Sequence, residues 1–342
     1  IESVLNIQIL EVNMKIILVT GGAGYVGSGL LRVLLNEGYK VVCVDSLKFG
    51  GESLIDIWQQ PNLIFHKCDI NDYDSFDIIL GKYNFHAVVH LAAIVGDPAC
   101  KLEFDLATKT NWESSKRLVD KAIDLGISKF IFASTCSNYG KMSDPTAYVN
   151  EESTLAPVSH YAKLKVKFEN YLLNKIGKND NFCPTALRFA TVYGVSPRMR
   201  FDLTVNEFTK DLALGKELIV FGEQFWRPYC HVKDFSRAFI AILNAQPEKV
   251  AYNVFNVGST KENYTKQMLV DEILKQIPSA KIKYVQKDDD PRDYRANFDK
   301  IKNVLGFSVS KTVPDGICEV KDIVSMGVIQ NPDNQRYYNI PH

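Results

Sequence analysis

A doubly wound parallel α/β sheet with a smaller C-terminal domain is the fold class this sequence predicts. Three observations carry the prediction. Apolar, β-branched runs recur through the first half of the chain, stretches of helical spacing separate them, and a glycine-rich turn joins the first run to the first helix. Residues 16–20 read Ile-Ile-Leu-Val-Thr, the continuous apolar run of a strand covered on both faces. Helical spacing follows over 30–36, and a second buried strand over 41–45. Residues 63–65, 87–91, 129–134 and 185–189 repeat the strand pattern, with helices expected between them, for example over 112–124 and 161–174. After Tyr193-Gly194 the alternation loosens. A helix is expected over 201–214, a short strand over 216–222 and a further helix over 264–276. No internal repeat and no low-complexity linker interrupts the chain.

Composition narrows the function classes. The 342 residues carry 40 Lys plus Arg against 40 Asp plus Glu, so no bulk field draws the chain to nucleic acid or an acidic membrane. No apolar run is long enough to span a bilayer. Seven cysteines, at 43, 68, 100, 136, 183, 230 and 318, show neither zinc-knuckle spacing nor clustering with His. No metal site is expected, and the thiols read as reduced in a cytoplasmic protein. Residues 1–13 precede Met14 without the basic start of a signal peptide and are set aside as an N-terminal extension.

The glycine turn is the first motif that carries chemistry. Gly21, Gly24 and Gly27 stand three apart between a strand and a helix. Gly21 permits the tight turn and Gly27 lets the helix pack on the strand. Gly24, with Tyr25 and Val26, brings backbone N–H groups to a pyrophosphate at the helix N-terminus. Asp45 ends the second strand, where a carboxylate accepts from ribose hydroxyls and repels a 2′-phosphate, so the expected cofactor is NAD rather than NADP. Asp69 and Ile70 follow the third strand, where an adenine edge is read. Residues 14–194 are thus expected to form an NAD-binding Rossmann domain. Residues 195–342 mainly form the substrate domain, with some segments returning to the Rossmann core.

Tyr161 and Lys165 lie four apart on one helix face. A free tyrosine titrates at about 10, and a nearby ammonium together with the positive nicotinamide ring would favour the phenolate, which can take a proton from a hydroxyl as hydride leaves the same carbon. Thr135 follows the 129–134 strand at the carboxyl edge, where ligands of such sheets bind.

Together these motifs make the chain resemble an extended short-chain dehydrogenase/reductase of the nucleotide-sugar epimerase and dehydratase family. The residues carrying the resemblance are 20–27, His90-Leu91-Ala92-Ala93, 134–140, 161–165, 188–194, 226–234 and 290–297. It implies NAD as a bound cofactor, Leu91, Ala92 and Ala93 beside it, and a nucleoside-diphosphate sugar as substrate. Thr135, Tyr161 and Lys165 match the family's catalytic triplet, with Lys165 also holding the cofactor. Arg227 and Arg292 match positions that neutralise a diphosphate. Residues 196–206 resemble the segment that folds over the nucleotide, and with it Cys136, Ser137, Thr191, Arg200 and Asn206 become candidate substrate contacts. One departure is informative: Cys136 and Ser137 stand where members that remove water across sugar carbons four and six carry Asp and Glu. The expected reaction is therefore redox chemistry at carbon four, 4-epimerisation first, with a 4-dehydrogenase or 4-ketoreductase as the alternative and, behind these, a 4,6-dehydratase or an NAD-binding regulator without turnover. The resemblance also implies a homodimer through helices around 106–124 and 159–174.

Overall fold

The computed structural model describes residues 14–142, 144, 147–175, 177–178, 180–286 and 292–340. The N-terminal extension, and Asp290-Pro291 of the 290–297 motif, lie outside the described residues. Six strands come first: β1 (Ile16–Thr20), β2 (Lys40–Asp45), β3 (Leu63–Lys67), β4 (Phe85–His90), β5 (Lys129–Thr135) and β6 (Cys183–Phe189). The second half adds β7 (Thr191–Tyr193), β8 (Glu217–Phe221), β9 (Trp226–His231), β10 (Asn253–Val257), β11 (Asn263–Thr265) and β12 (Lys281–Val285).

Among the described residues the main sheet has seven strands in the order β10-β6-β5-β4-β1-β2-β3, and every pair in it is parallel. Parallel strands need crossovers, and crossover helices cover both faces. Adjacent residues of β1 accordingly serve different cores. Ile17 and Val19 pack with Leu30, Leu34, Phe235 and Phe239 of the Tyr25–Asn36 and Val232–Asn244 helices. Leu18 packs with Phe76, Leu118 and Phe168 of the Tyr73–Lys82, Ser115–Asp124 and His160–Asn170 helices. The chain winds outward from β1 to β3, then reverses through β4. Thr20 at the end of β1 pairs with Val44 on one side and His90 on the other, so the reversal opens a crevice at the carboxyl ends.

The chain leaves this sheet after β6 and re-enters it at β10. Between and beyond lie a three-stranded sheet, β11-β9-β7, and a β12-β8 pair. The Thr204–Ala213, Lys266–Gln276 and Val313–Ser325 helices cover them through Val205, Leu212, Leu269, Ile273 and Ile317.

Three helix boundaries differ from the sequence expectation, each because of a hydrogen bond or strand pairing made at that point. Residues Lys109–Ser114 wind as a wider π turn, and the Ser115 hydroxyl donates to the Thr110 carbonyl at 2.9 Å. The helix expected from 201 starts at Thr204, because the Phe201 N–H is taken by the Tyr337 carbonyl at 2.9 Å. Residues Asn263–Thr265 pair with β9 before Thr265 caps the next helix by accepting from Met268 N–H. Six cysteines are buried and Cys318 is exposed, all as free thiols. No described helix is long and apolar enough to cross a membrane, and no described group of three His, Cys, Asp or Glu could hold a metal ion.

Candidate active site

A cavity of about 620 Å³ opens at the carboxyl ends of β1, β2, β4, β5 and β6. Its floor is the glycine turn. Gly21 sits at φ +75°, and a Cβ there would lie 2.7 Å from Ala92 N, so the turn and its approach to the end of β4 both require glycine. A Cβ on Gly27 would collide with Gly21 O, which is the close packing of helix on strand. Gly24 precedes the Tyr25–Asn36 helix without a side-chain cap. The leading N–H groups and the positive end of that helix therefore face an anion.

Two buried polar links hold the crevice. The Thr20 hydroxyl meets His90 Nδ1 at 2.8 Å and accepts from Leu91 and Ala92 N–H, while His90 Nε2 meets the Ser115 hydroxyl at 2.9 Å. Burial, with the Lys165 charge added, pushes His90 down to about 3, so it is a neutral strut. Asp45 accepts from Ala23 N–H at 3.0 Å and Leu47 N–H at 2.8 Å, tying the glycine turn to the loop after β2. Burial raises its pKa against those two bonds. Asp69 accepts from Asn71 N–H at 2.9 Å, and Ile70 is buried. Asp45, Asp69, Ile70, Leu91 and Ala92, with Tyr25, Val26 and Ala93, line the cavity. A cradle that only glycine fits, a helix end and a strand-end carboxylate on one wall fit a dinucleotide.

Tyr161 and Lys165 rise from the His160–Asn170 helix, capped by Ser159 accepting from Ala162 N–H at 3.2 Å. Lys165 Nζ donates to Ala133 O at 2.7 Å and lies 5.7 Å from the Tyr161 ring centroid. Burial lowers Lys165 to about 8. Within the protein alone burial raises Tyr161 most, with Cys100 and Asp97 adding to this and Arg200 opposing; the expected lowering rests on the nicotinamide ring as well as on the ammonium. Thr135 Oγ1 accepts from Ser137 N–H at 3.1 Å, which leaves its own hydroxyl hydrogen to donate. Thr135, Ser137, Tyr161, Lys165 and Thr191 share the cavity wall.

Two expected contacts lie elsewhere. Cys136 is fully buried, its Sγ donates to Arg188 O at 3.1 Å, and burial pushes its pKa up. It is an inert core thiol, because the turn after β5 directs it into the sheet. Asn206 is also fully buried: its Oδ1 accepts from Gly194 N–H at 2.8 Å, while Nδ2 donates to Arg200 O at 2.8 Å and to the Tyr25 hydroxyl at 3.2 Å. It brackets the turn after β7 rather than the cavity.

The arginines divide. Arg200 lies on the wall but forms a two-pronged pair with Asp202, both bonds 2.8 Å. Arg292 pairs with Asp97 at 2.8 Å, and Arg227 donates to Trp226 O at 2.6 Å; both line the cavity. Arg198, from the 196–206 segment but not singled out within it, also lines the cavity, as do Phe49, Asn339 and Ile340, which were not foreseen. Arg198 was in plain view as half of an Arg-x-Arg pair, whereas nothing local marks a C-terminal tail that folds back onto Asp202 through Asn339 N–H.

Comparison with known proteins agrees with this geometry. The NAD dependent epimerase/dehydratase family model matches residues 17–258. UDP-glucuronate 4-epimerase of Thermodesulfobacterium geofontis is 27% identical over 312 residues, covering 88% of this chain and 93% of the relative. The structure of UDP-glucose 4-epimerase with UDP-glucose from Thermotoga maritima superposes with TM-score 0.80 at 27% identity, covering 92% of this chain and 99% of that one. UDP-glucuronic acid 4-epimerase from Bacillus cereus, in complex with UDP-glucuronic acid and NAD, gives TM-score 0.80 at 26% identity, covering 91% and 99%.

Proposed function

The chain belongs to the NAD dependent epimerase/dehydratase family, and we propose that it interconverts the 4-epimers of a UDP-sugar. The observation that carries this reading is the shared wall: Thr135, Tyr161 and Lys165 face the same cavity as the glycine cradle and Asp45. When bound, NAD supplies a hydride acceptor and donor for sugar carbon four. Gly21 to Gly27 and Asp45 would hold it. Tyr161 takes the proton of the 4-hydroxyl as a phenolate and returns it. Thr135 donates a hydrogen bond to the same sugar oxygen. Lys165 places a cation beside the phenol, and Arg227 and Arg292 neutralise the sugar's diphosphate. The loss of water across carbons four and six is disfavoured. Cys136 is buried and Ser137 is a hydroxyl, so neither position supplies a carboxyl to expel the 6-hydroxyl. The names of the similar proteins favour UDP as the nucleotide and glucose, glucuronate or arabinose as the sugar.

The test is to incubate the protein with UDP-glucose, UDP-glucuronate and UDP-arabinose, following reduced-cofactor absorbance and product identity together. A 4-epimer with no lasting NADH is expected. A 6-deoxy-4-keto product would overturn the argument from positions 136 and 137, and stoichiometric NADH that persists would make the protein a 4-dehydrogenase.

The reading extends to a homodimer in a reducing cytosol. Leu102, Phe104, Leu106 and Val158 leave apolar surface exposed beside the helices expected at the contact, and Phe104 stacks on His160 at 3.8 Å. Light scattering at micromolar concentration should return twice the 38.6 kDa chain mass; a monomer would refute the dimer.

A further inference from the structure

We propose that Arg198 is a cofactor-binding residue, contributed by the segment after β7, that clamps the pyrophosphate of the bound dinucleotide against the glycine turn. This rests on the reading of the cavity as an NAD site and goes beyond it by bringing a residue from outside the Rossmann half.

Arg198 lines the cavity yet is only 7% exposed. Its Nε and Nη2 are buried with no hydrogen-bond partner among the described residues. Buried guanidinium donors without an acceptor are costly, since the charge has lost its water without gaining a counter-ion. The neighbouring cation worsens this: burial, then Arg200, lowers Arg198 to about 10. Arg200 has Asp202, whereas Arg198 has donors to spare. What suits it is an anion inside the cavity.

Position selects which anion. The segment bearing Arg198 is docked on the first turn of the Tyr25–Asn36 helix. Ser196 Oγ donates to Tyr25 O at 2.6 Å, and Arg198 N–H donates to Ser28 Oγ at 3.4 Å. The guanidinium lies 4.4 Å over the Phe49 ring, in the loop that follows Asp45. Arg198 therefore spans from the glycine-turn helix to the loop of the ribose-binding carboxylate, which is the path of the dinucleotide. The arginines expected to meet the sugar's diphosphate are anchored elsewhere, on Asp97 and Trp226. Stacking on Phe49 fixes the guanidinium plane, so its donors are presented without much loss of freedom on binding.

The same chemistry could serve the substrate's diphosphate, and the experiment separates the two. The full-length protein, stripped of nucleotide, is titrated calorimetrically with NAD, ADP, adenosine and UDP, as wild type and as Arg198→Met and Arg198→Lys. Loss of charge-assisted bonds to one anion corresponds to about 10- to 100-fold. Arg198→Met should show that loss for NAD and ADP, with adenosine and UDP unchanged, and Arg198→Lys should fall between. Without nucleotide, Arg198→Met should also melt higher than wild type, because an unpaired buried charge is gone. A structural role predicts the opposite sign, so a lower melting temperature would overturn the proposal. So would NAD and ADP affinities equal to wild type, an equal loss for adenosine, or a loss confined to UDP. None of these outcomes depends on which sugar reaction the enzyme performs, so failure here is distinct from failure of the epimerase reading.

Discussion

Tyr161→Phe is expected to cut turnover by about 10²- to 10⁴-fold, the range a positioned acid–base group contributes, while NAD affinity stays close to wild type. The substitution removes one hydroxyl and keeps the ring, which packs on the small cluster of Cys100, Ala107 and Leu164. Structure and cofactor site are therefore preserved, and the loss reports proton transfer alone. Burial above all, with Asp97 adding to it, raises the phenol in the protein alone, so its protonated form dominates at neutral pH. The reactive phenolate grows as pH rises, and kcat/KM of the wild type should climb with it. The variant should lose that slope along with the rate. Steady-state kinetics across pH, alongside calorimetric NAD titration, checks both parts. A variant that kept rate and slope would place the base elsewhere on the wall.

Glu169→Ala should cost about 3–5 kcal/mol of stability, the usual effect of stranding a buried charge. Arg188 and Glu169 are both buried in the layer between β6 and the His160–Asn170 helix, and they form a two-pronged ion pair. Burial alone would lower Arg188; the bonds and charge of Glu169 outweigh it and raise Arg188 instead. Arg188 also donates to the Tyr139 hydroxyl at 2.9 Å, and Glu169 accepts from the Ser134 hydroxyl at 2.8 Å. The pair thus holds the end of β5, one residue before Thr135, so turnover should fall with stability. Total stabilities of domains run to about 5–15 kcal/mol, which makes this a large fraction. Urea denaturation of Glu169→Ala, Arg188→Met and the double variant is the measurement. The double variant should recover part of the loss, since it strands no buried charge, although the Ser134 hydroxyl loses its acceptor. A single-variant cost under about 1 kcal/mol would mean that water reaches the pair.

The local sequence by itself determined the parallel strands, the glycine cradle, Asp45 and the Tyr161–Lys165 pair. Each of these rests on short-range chemistry: β-branched runs that suit strands buried on both faces, φ-positive glycine at Gly21, and a four-residue spacing that aligns two side chains on a helix. Only the tertiary structure decided which way neighbouring residues face, and with it the rest of the site. Cys136 sits one residue from Thr135, yet it bonds Arg188 O inside the sheet while Thr135 meets the cavity. Arg198 and Arg200 are two apart, yet Asp202 binds one through two hydrogen bonds while Nε and Nη2 of the other are buried with no hydrogen-bond partner among the described residues. Asn206 turns to Gly194, β10 enters the main sheet beside β6 from 64 residues beyond it, and Asn339 comes back from the C terminus to line the cavity. These outcomes depend on partners distant in sequence, whose burial and hydrogen bonding no local period encodes. The chain's own spacing therefore identified the chemistry, and long-range packing chose which polar groups remain free to perform it.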